Sequence, residues 1–485
     1  MVKNINKGEK GLFVYFRYHT TAYHSLFLIF DKKFHLLKYT AMPVNNRIVI
    51  KMKTLYMLLG SILCFGTVYS QQSFPDDTSG NAYTEALSKS YPVMNELFLA
   101  DLKAKTTDKK LLKHYQASYK EIFKGMNEVI KEGQMIYSPG LSVLLEELLL
   151  EIKAKNPSIP QDIQVFLLRE DLPNAVTMGD NNIFVNMGLF YYMDNEDQVA
   201  GVLSHEVAHL LLSHALKGIR YNYEQDKESA TKVKALQGVE ARKTERAFDL
   251  LRSSIYKEGR MRRDFELQAD SMGYALFKNT GYNHIAFIEA LENIQHYDTV
   301  FPGNLAVESY RKFFDLPTQK YNDKWLVAED FSSYNYESFT KKLDKDSVSS
   351  HPEITERIQH LKASFPELSL QEKGSRSSIG TFSKIRSAAD SMRVPNYFFN
   401  ERYGEVIYAS LISLQKNPRD QYYRLWLAKG LQKIYEARRD YKLNKYLDRV
   451  SPKNQPESYI RFLNFMWNLS LDELKNIADF YNTEK

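Results

Sequence analysis

What the sequence has little of already narrows its chemistry. There is one cysteine in 485 residues, Cys64. A lone thiol cannot close a disulfide within the chain or supply a thiolate cluster, so any bound metal must rest on histidine and carboxylate. Fifteen prolines and 21 glycines are too few for a collagen-like or low-complexity chain. Long apolar runs are also lacking: the one between Leu55 and Val68 is too short for a comfortable membrane span, and no second run approaches that length. Nor is there an excess of charge of one sign. The balance of 65 basic and 59 acidic residues gives +6, but residues 1–70 hold ten basic side chains and two acidic ones. Subtracting these leaves 55 basic and 57 acidic beyond residue 70, a net of −2. That removes the electrostatic argument for nucleic acid as a partner and leaves peripheral attachment to a membrane open.

What is present is an ordinary globular composition, 44% hydrophobic and 13% aromatic. A chain of this length can bury at least one large core and suggests two or three domains. Lys51-Met52-Lys53, the apolar stretch from Leu55 to Val68 and the small Ser70 before Gln71-Gln72 form the basic, apolar and cleavage regions of a secretory signal peptide. Residues 52–70 are therefore read as that signal, with Met52 the start and 1–51 a doubtful N-terminal extension. An uncleaved anchor and a lipoprotein site at Cys64 are the rivals; bulky Ile62 and Leu63 before the cysteine argue against the second.

The periodicities predict a mainly α fold with a small β-sheet. From Tyr91 to Lys155 the pattern is helical, with Leu141, Leu144, Leu145, Leu148 and Leu149 as a core-facing stripe. Asn156-Pro157 breaks it. Ile163–Leu168 and Asn182–Asn186 read as strands, the second after a turn at Gly179-Asp180-Asn181. A helix begins near Asn195-Glu196-Asp197, where acidic residues suit the positive end of the helix dipole, and is expected to run through Ala215 to Gly218. The dense alternating charge from Lys217 to Arg263 reads as solvated helical faces. Residues 368–391, with Gly374, Ser375, Ser377, Ser378 and Gly380, have linker composition. Beyond them lie amphipathic helices whose pairing leaves a tetratricopeptide-like module open.

The chemistry sits in the helix after Asn195. In His205-Glu206-Val207-Ala208-His209 the histidines stand at i and i+4, so they project from one helical face and can grip one zinc ion. Glu206 can then reach a metal-held water without being a ligand, the position of a general base. A chance match to this pattern is on the order of two in a hundred for a chain of this composition. Its setting strengthens it: Val202, Leu203, Leu210, Leu211 and Leu212 make the segment largely buried, and burying two histidines and a glutamate without a partner is costly. Zinc needs a third protein ligand and an open position. Glu266 in Phe265-Glu266-Leu267-Gln268-Ala269-Asp270 is the best candidate, and Asp270, one turn on, can orient a ligand histidine. Small Ala269 and Gly273 suggest close helix approach there. His214 reads as a packing or cap residue.

From Asp162 to Ala363 this ordered set resembles the gluzincin metallopeptidases of the HtpX, BepA and CAAX-prenyl-protease type: Asn174-Ala175, Ile183-Phe184-Val185, Gly188-Leu189, Asn195-Glu196-Asp197, His205 to His209, Glu266 to Asp270, and His351-Pro352 with Arg357. The resemblance implies a zincin-like domain with one zinc held by His205, His209 and Glu266, Glu206 as catalytic base, and Asp270 behind the ligands. It also implies that the strand Ile183, Phe184, Val185 is the edge that pairs with an extended substrate. His351 is read either as an exposed loop histidine or as a group that stabilises the oxyanion or plugs the zinc, with Arg357 bracing its loop against a carboxylate. Members of the HtpX and prenyl-protease type carry several membrane spans; this chain resembles the exported, periplasmic branch instead. The readings divide the chain into a helical part of the peptidase domain at 71–160, a zinc metallopeptidase core at 161–367, a linker at 368–391 and a helical C-terminal domain at 392–485.

The leading expectation is an envelope endopeptidase that hydrolyses unfolded or mis-assembled envelope proteins. A latent zinc site in a chaperone or assembly scaffold is the alternative, and a non-peptidase zinc hydrolase fits the metal set but not the neighbouring strand.

Overall fold

The computed structural model describes residues 79–236, 243–295, 303–328, 353–369, 379–451 and 455–483. The extension 1–51, the signal peptide 52–70 and His351 lie outside them.

Two helices, α1 (Ser79–Lys105) and α2 (Lys109–Lys131), open the described chain. The Asp108 carboxylate accepts from the amides of Lys110 and Leu111, satisfying two donors that the first turn of α2 would leave bare. Leu111, Tyr115, Tyr119, Phe123, Met126 and Ile130 recur every three or four residues and form its buried stripe. After the short strand β1 (Met135–Ile136) comes α3 (Pro139–Lys155), whose predicted leucine stripe is buried. The sheet is completed by β2 (Gln164–Leu168), β3 (Ala175–Thr177) and β4 (Asn182–Asn186) in the order β1-β2-β4-β3. β2 and β4 are parallel, Phe166 opposite Phe184; β3 runs antiparallel to β4, Val176 opposite Phe184.

The sheet is sandwiched. Phe166 and Phe184 stack at 5.7 Å and pack with the α1–α2 core, while Leu167, Ile183 and Val185 face the core built on α3. This corrects one expectation: Ile183, Phe184 and Val185 are not the sheet edge. β4 is buried throughout and paired on both sides, as its unbroken apolar run requires. The edge beside it is β3, too short for its period to be read.

A short helix, α4 (Leu189–Tyr192), leads into α5 (Glu196–Leu211), whose first turn is capped by Asn195 accepting from the Gln198 amide. The predicted single helix through Gly218 is two. Leu212 ends α5, Ser213 takes φ +54°, and α6 (His214–Leu236) leaves at a 47° bend. α7 (Lys243–Phe277) then packs along α5, followed by α8 (Ala286–Gln295), α9 (Val307–Phe314) and α10 (Ile354–Ser364). Among the described residues no single helix is long and apolar enough to cross a membrane.

The C-terminal part contains α11 (Ile379–Phe399), α12 (Tyr403–Lys416), α13 (Gln421–Arg439), α14 (Leu443–Tyr446), α15 (Glu457–Asn468) and α16 (Leu471–Thr483). Two boundaries differ from the sequence reading. Residues 379–391 belong to α11, and Phe382 and Ala389 pack into the same core as α5, so linker composition there hid an amphipathic helix. Residues 303–328, read as part of the peptidase core, send Tyr310, Phe314 and Trp325 into the C-terminal core against Phe465. The mainly α class with a small sheet is as expected.

Candidate metal centre

The burial demanded by α5 aims its polar side chains. Val199, Leu203, Val207 and Ala208 are fully buried, which fixes the helix rotation and leaves His205 and His209, one turn apart, on the face turned to α7. α7 approaches closely because residue 273 is glycine: a Cβ there would stand 2.8 Å from the His205 Cα. One turn before it on α7, Asp270 is fully buried, and Glu266 is one turn further back.

The structure brings the predicted ligand set together. His205 Nε2 and His209 Nε2 are 3.0 Å apart; His205 Nε2 lies 3.6 Å from Glu266 Oε2 and His209 Nε2 lies 3.6 Å from Glu266 Oε1. A tetrahedral ion with bonds of about 2.0–2.1 Å needs ligand atoms about 3.3–3.4 Å apart, and one ligand atom from each of the three residues lies within 4.8 Å of the others, close enough to converge on one cation. Two imidazole lone pairs and a carboxylate converging on one point repel unless positive charge lies between them.

The surroundings orient these groups. His205 Nδ1 stands 3.0 Å from Asp270 Oδ1, a carboxylate whose charge favours the proton on Nδ1 and leaves Nε2 on the side of His209 and Glu266. Arg357, on α10, donates to both Asp270 oxygens at 2.7 and 2.6 Å and lies 3.5 Å from Glu266. It is thus set against Asp270 and Glu266; the His351 loop that it was expected to brace lies outside the described residues.

Titration behaviour follows from that demand for positive charge. Burial alone would lower the His205 pKa, but the Asp270 and Glu266 carboxylates outweigh it and raise it to about 10. Burial, then the charge on His205, lowers His209 to about 3. A proton on His205 thus stands in for a cation, and a metal bound there would displace it. Burial pushes Glu206 up to about 8 against the opposing charge of His205. Asp270 would be raised by burial, but the charge and paired bonds of Arg357 hold it near 2.

Two features were not read from the sequence. Asn186 donates its amide to the Asn174 carbonyl, so by antiparallel alternation the amides and carbonyls of Ala175 and Thr177 face away from β4. The Thr177 amide hydrogen-bonds Glu206, which places the free edge of β3 beside the general-base candidate. The second feature is His214, buried and stacked on Phe265 with ring centres 4.3 Å apart, its Nδ1 2.9 Å from His209 Nδ1. A third histidine five residues beyond the motif was the available signal, but on an unbroken helix it points elsewhere.

Residues 141–364, a little under half of the chain, match the model of peptidase family M48. Among curated proteins, the chain is similar to the beta-barrel assembly-enhancing proteases of Yersinia pestis, 29% identical over 85 residues, and of Escherichia coli strain K12, 28% identical over 85 residues. In each case the aligned stretch spans 18% of this chain and 18% of the relative.

Proposed function

From the premise that residues 141–364 match peptidase family M48, we propose that this protein is a zinc-dependent endopeptidase of the cell envelope. The carrying observation is the convergence of His205, His209 and Glu266, their ligand atoms within 4.8 Å of one another, beside a buried Glu206. When bound there, zinc supplies Lewis-acid polarisation of the scissile carbonyl and acidifies the attacking water. Glu206 takes that water's proton and returns it to the leaving amine. The outward amide and carbonyl of Ala175 and the carbonyl of Thr177 hold an extended backbone by strand addition, so binding reads main chain and tolerates varied sequence. That suits unfolded or mis-assembled protein substrates. The apolar segment before Gln71 and the beta-barrel assembly for which the relatives are named support an exported protein acting in envelope quality control.

The test is degradation of casein by the purified protein and by Glu206→Gln, with zinc measured on both. The wild type degrades casein, the variant loses on the order of 10²-fold or more, and both hold about one zinc per chain. Zinc in both without wild-type activity would favour the scaffold reading, and no zinc in either would overturn the metal reading. Sequencing of the native N-terminus checks export, with Gln71 as the expected first residue.

A further inference from the structure

His214 is held as firmly as the ligands and belongs to none of the roles above. On a continuous helix a residue five positions after His209 lies about 140° away around the axis and cannot touch it. The break at Leu212-Ser213 changes that. Ser213 adopts φ +54°, a left-handed conformation costly for a residue with a Cβ, and α6 departs at 47°. The first residue of α6 is thereby turned back onto α5, its Nδ1 2.9 Å from His209 Nδ1. Phe265 fixes the plane of the ring, the two planes only 6° apart, and Gln268 Oε1 lies 3.4 Å from His214 Nε2. Phe265 and Gln268 flank Glu266 on α7, so one helix supplies both the third ligand and the brace for His214.

The proton arrangement then has one solution compatible with a metal. A neutral imidazole carries one N–H. If His214 donated to His209, the His209 proton would sit on Nε2, aimed at His205 and Glu266, and would block coordination. Gln268 Oε1 draws the His214 proton to Nε2, leaving Nδ1 as an acceptor. His209 therefore donates from Nδ1 and presents its Nε2 lone pair inward. This inference rests on the metal reading above. We propose that His214 is a positioning residue that fixes the tautomer and orientation of His209 through its Nδ1 acceptor, as Asp270 does for His205.

Removal of an orienting partner of this kind weakens metal affinity roughly 10–100-fold. The experiment compares wild type with three substitutions by zinc titration against a chromophoric chelator, alongside circular dichroism and urea unfolding of the chelator-stripped proteins. Asn places its amide oxygen where the His214 Nδ1 lies, whereas Gln places its polar atoms at the Nε2 end. His214→Asn is expected to keep zinc affinity within a few-fold of wild type, while His214→Gln and His214→Leu lose roughly 10–100-fold with metal-free unfolding of all three alike. If all three bind zinc as the wild type does, or if Asn loses as much as Leu while their metal-free stabilities match, the proposal is overturned. If Leu proves too unstable to titrate, the Asn against Gln comparison decides. A wild type that takes up no zinc overturns the metal reading and this inference with it; a wild type that binds zinc alongside unaffected variants overturns this inference alone.

Discussion

At the scale of single residues, the site is organised around where positive charge can sit. Glu266 and Asp270 are carboxylates one turn apart in a buried interface, and Arg357 alone does not fill the space between the two histidines and Glu266. Asp270 carries two separate duties. It directs His205, so Asp270→Asn should weaken zinc binding roughly 10–100-fold by chelator competition. It also contributes to the stability of the metal-free protein. Burial would raise its pKa, but Arg357 lowers it to about 2 from an unfolded value of 3.8. A depressed carboxylate stabilises above the unfolded pKa and loses that contribution as pH falls through the folded one. The metal-free protein should therefore lose about 2 kcal/mol between pH 4 and 2 that Asp270→Asn does not lose. Urea unfolding across that range checks it; equal slopes for the two proteins would count against the Arg357 pairing.

At the scale of elements, the geometry of the candidate site depends on two short irregularities. One is the left-handed Ser213, without which α5 and α6 would be one helix and His214 would point away. The other is β3, three residues long, which covers β4 on one side and, among the described residues, pairs with no strand on the other. Its alternation predicts distinct amide behaviour. The Val176 amide faces β4 and should exchange slowly in the free protein. The Ala175 amide faces outward and should exchange quickly until an extended peptide is added to Glu206→Gln, then slow markedly. Hydrogen exchange read at single-residue level distinguishes these, and an Ala175 amide unmoved by a saturating peptide would remove β3 as the docking edge.

At the scale of the whole molecule, the peptidase core and the C-terminal helices share a buried polar junction. Arg402 donates to Asp171 at 2.7 Å and to Glu405 at 3.0 Å, and Asn396 accepts from Arg169 at 3.1 Å. Arg169 also lies over the Phe399 ring. Breaking a buried pair from one side leaves an uncompensated charge and costs about 3–5 kcal/mol. Arg402→Ala should accordingly lower the melting temperature and, in calorimetry, separate unfolding of the two cores. Burial raises Asp171 to about 7, against the opposing charge of Arg402. A carboxyl whose pKa is raised on folding gives stability that is full below the unfolded value near 3.8 and is lost as pH rises through about 7. Without Arg402 the ionised form is worse still. The deficit of Arg402→Ala should therefore be larger at pH 8 than at pH 5, and a deficit independent of pH would contradict this account.

The grouping of His205, His209 and Glu266 and the main helices were legible in the sequence because each rests on local spacing. Two histidines at i and i+4 share a face on any α-helix, the leucine stripe of α3 repeats at the helical period, and Asn195 caps where an Asn should. Glu266 and Asp270 were found through their own i, i+4 spacing. Everything that depended on which surfaces meet was decided by the tertiary structure. The inner place of Ile183 to Val185 follows from β3 returning alongside them, and the packing of 303–328 with the C-terminal helices follows from matching aromatic surfaces distant in sequence. The use of His214 follows from a backbone turn at Ser213 that its residue type does not announce. Periodicity reports which face of an element is apolar; it carries no information on which other face that one will bury.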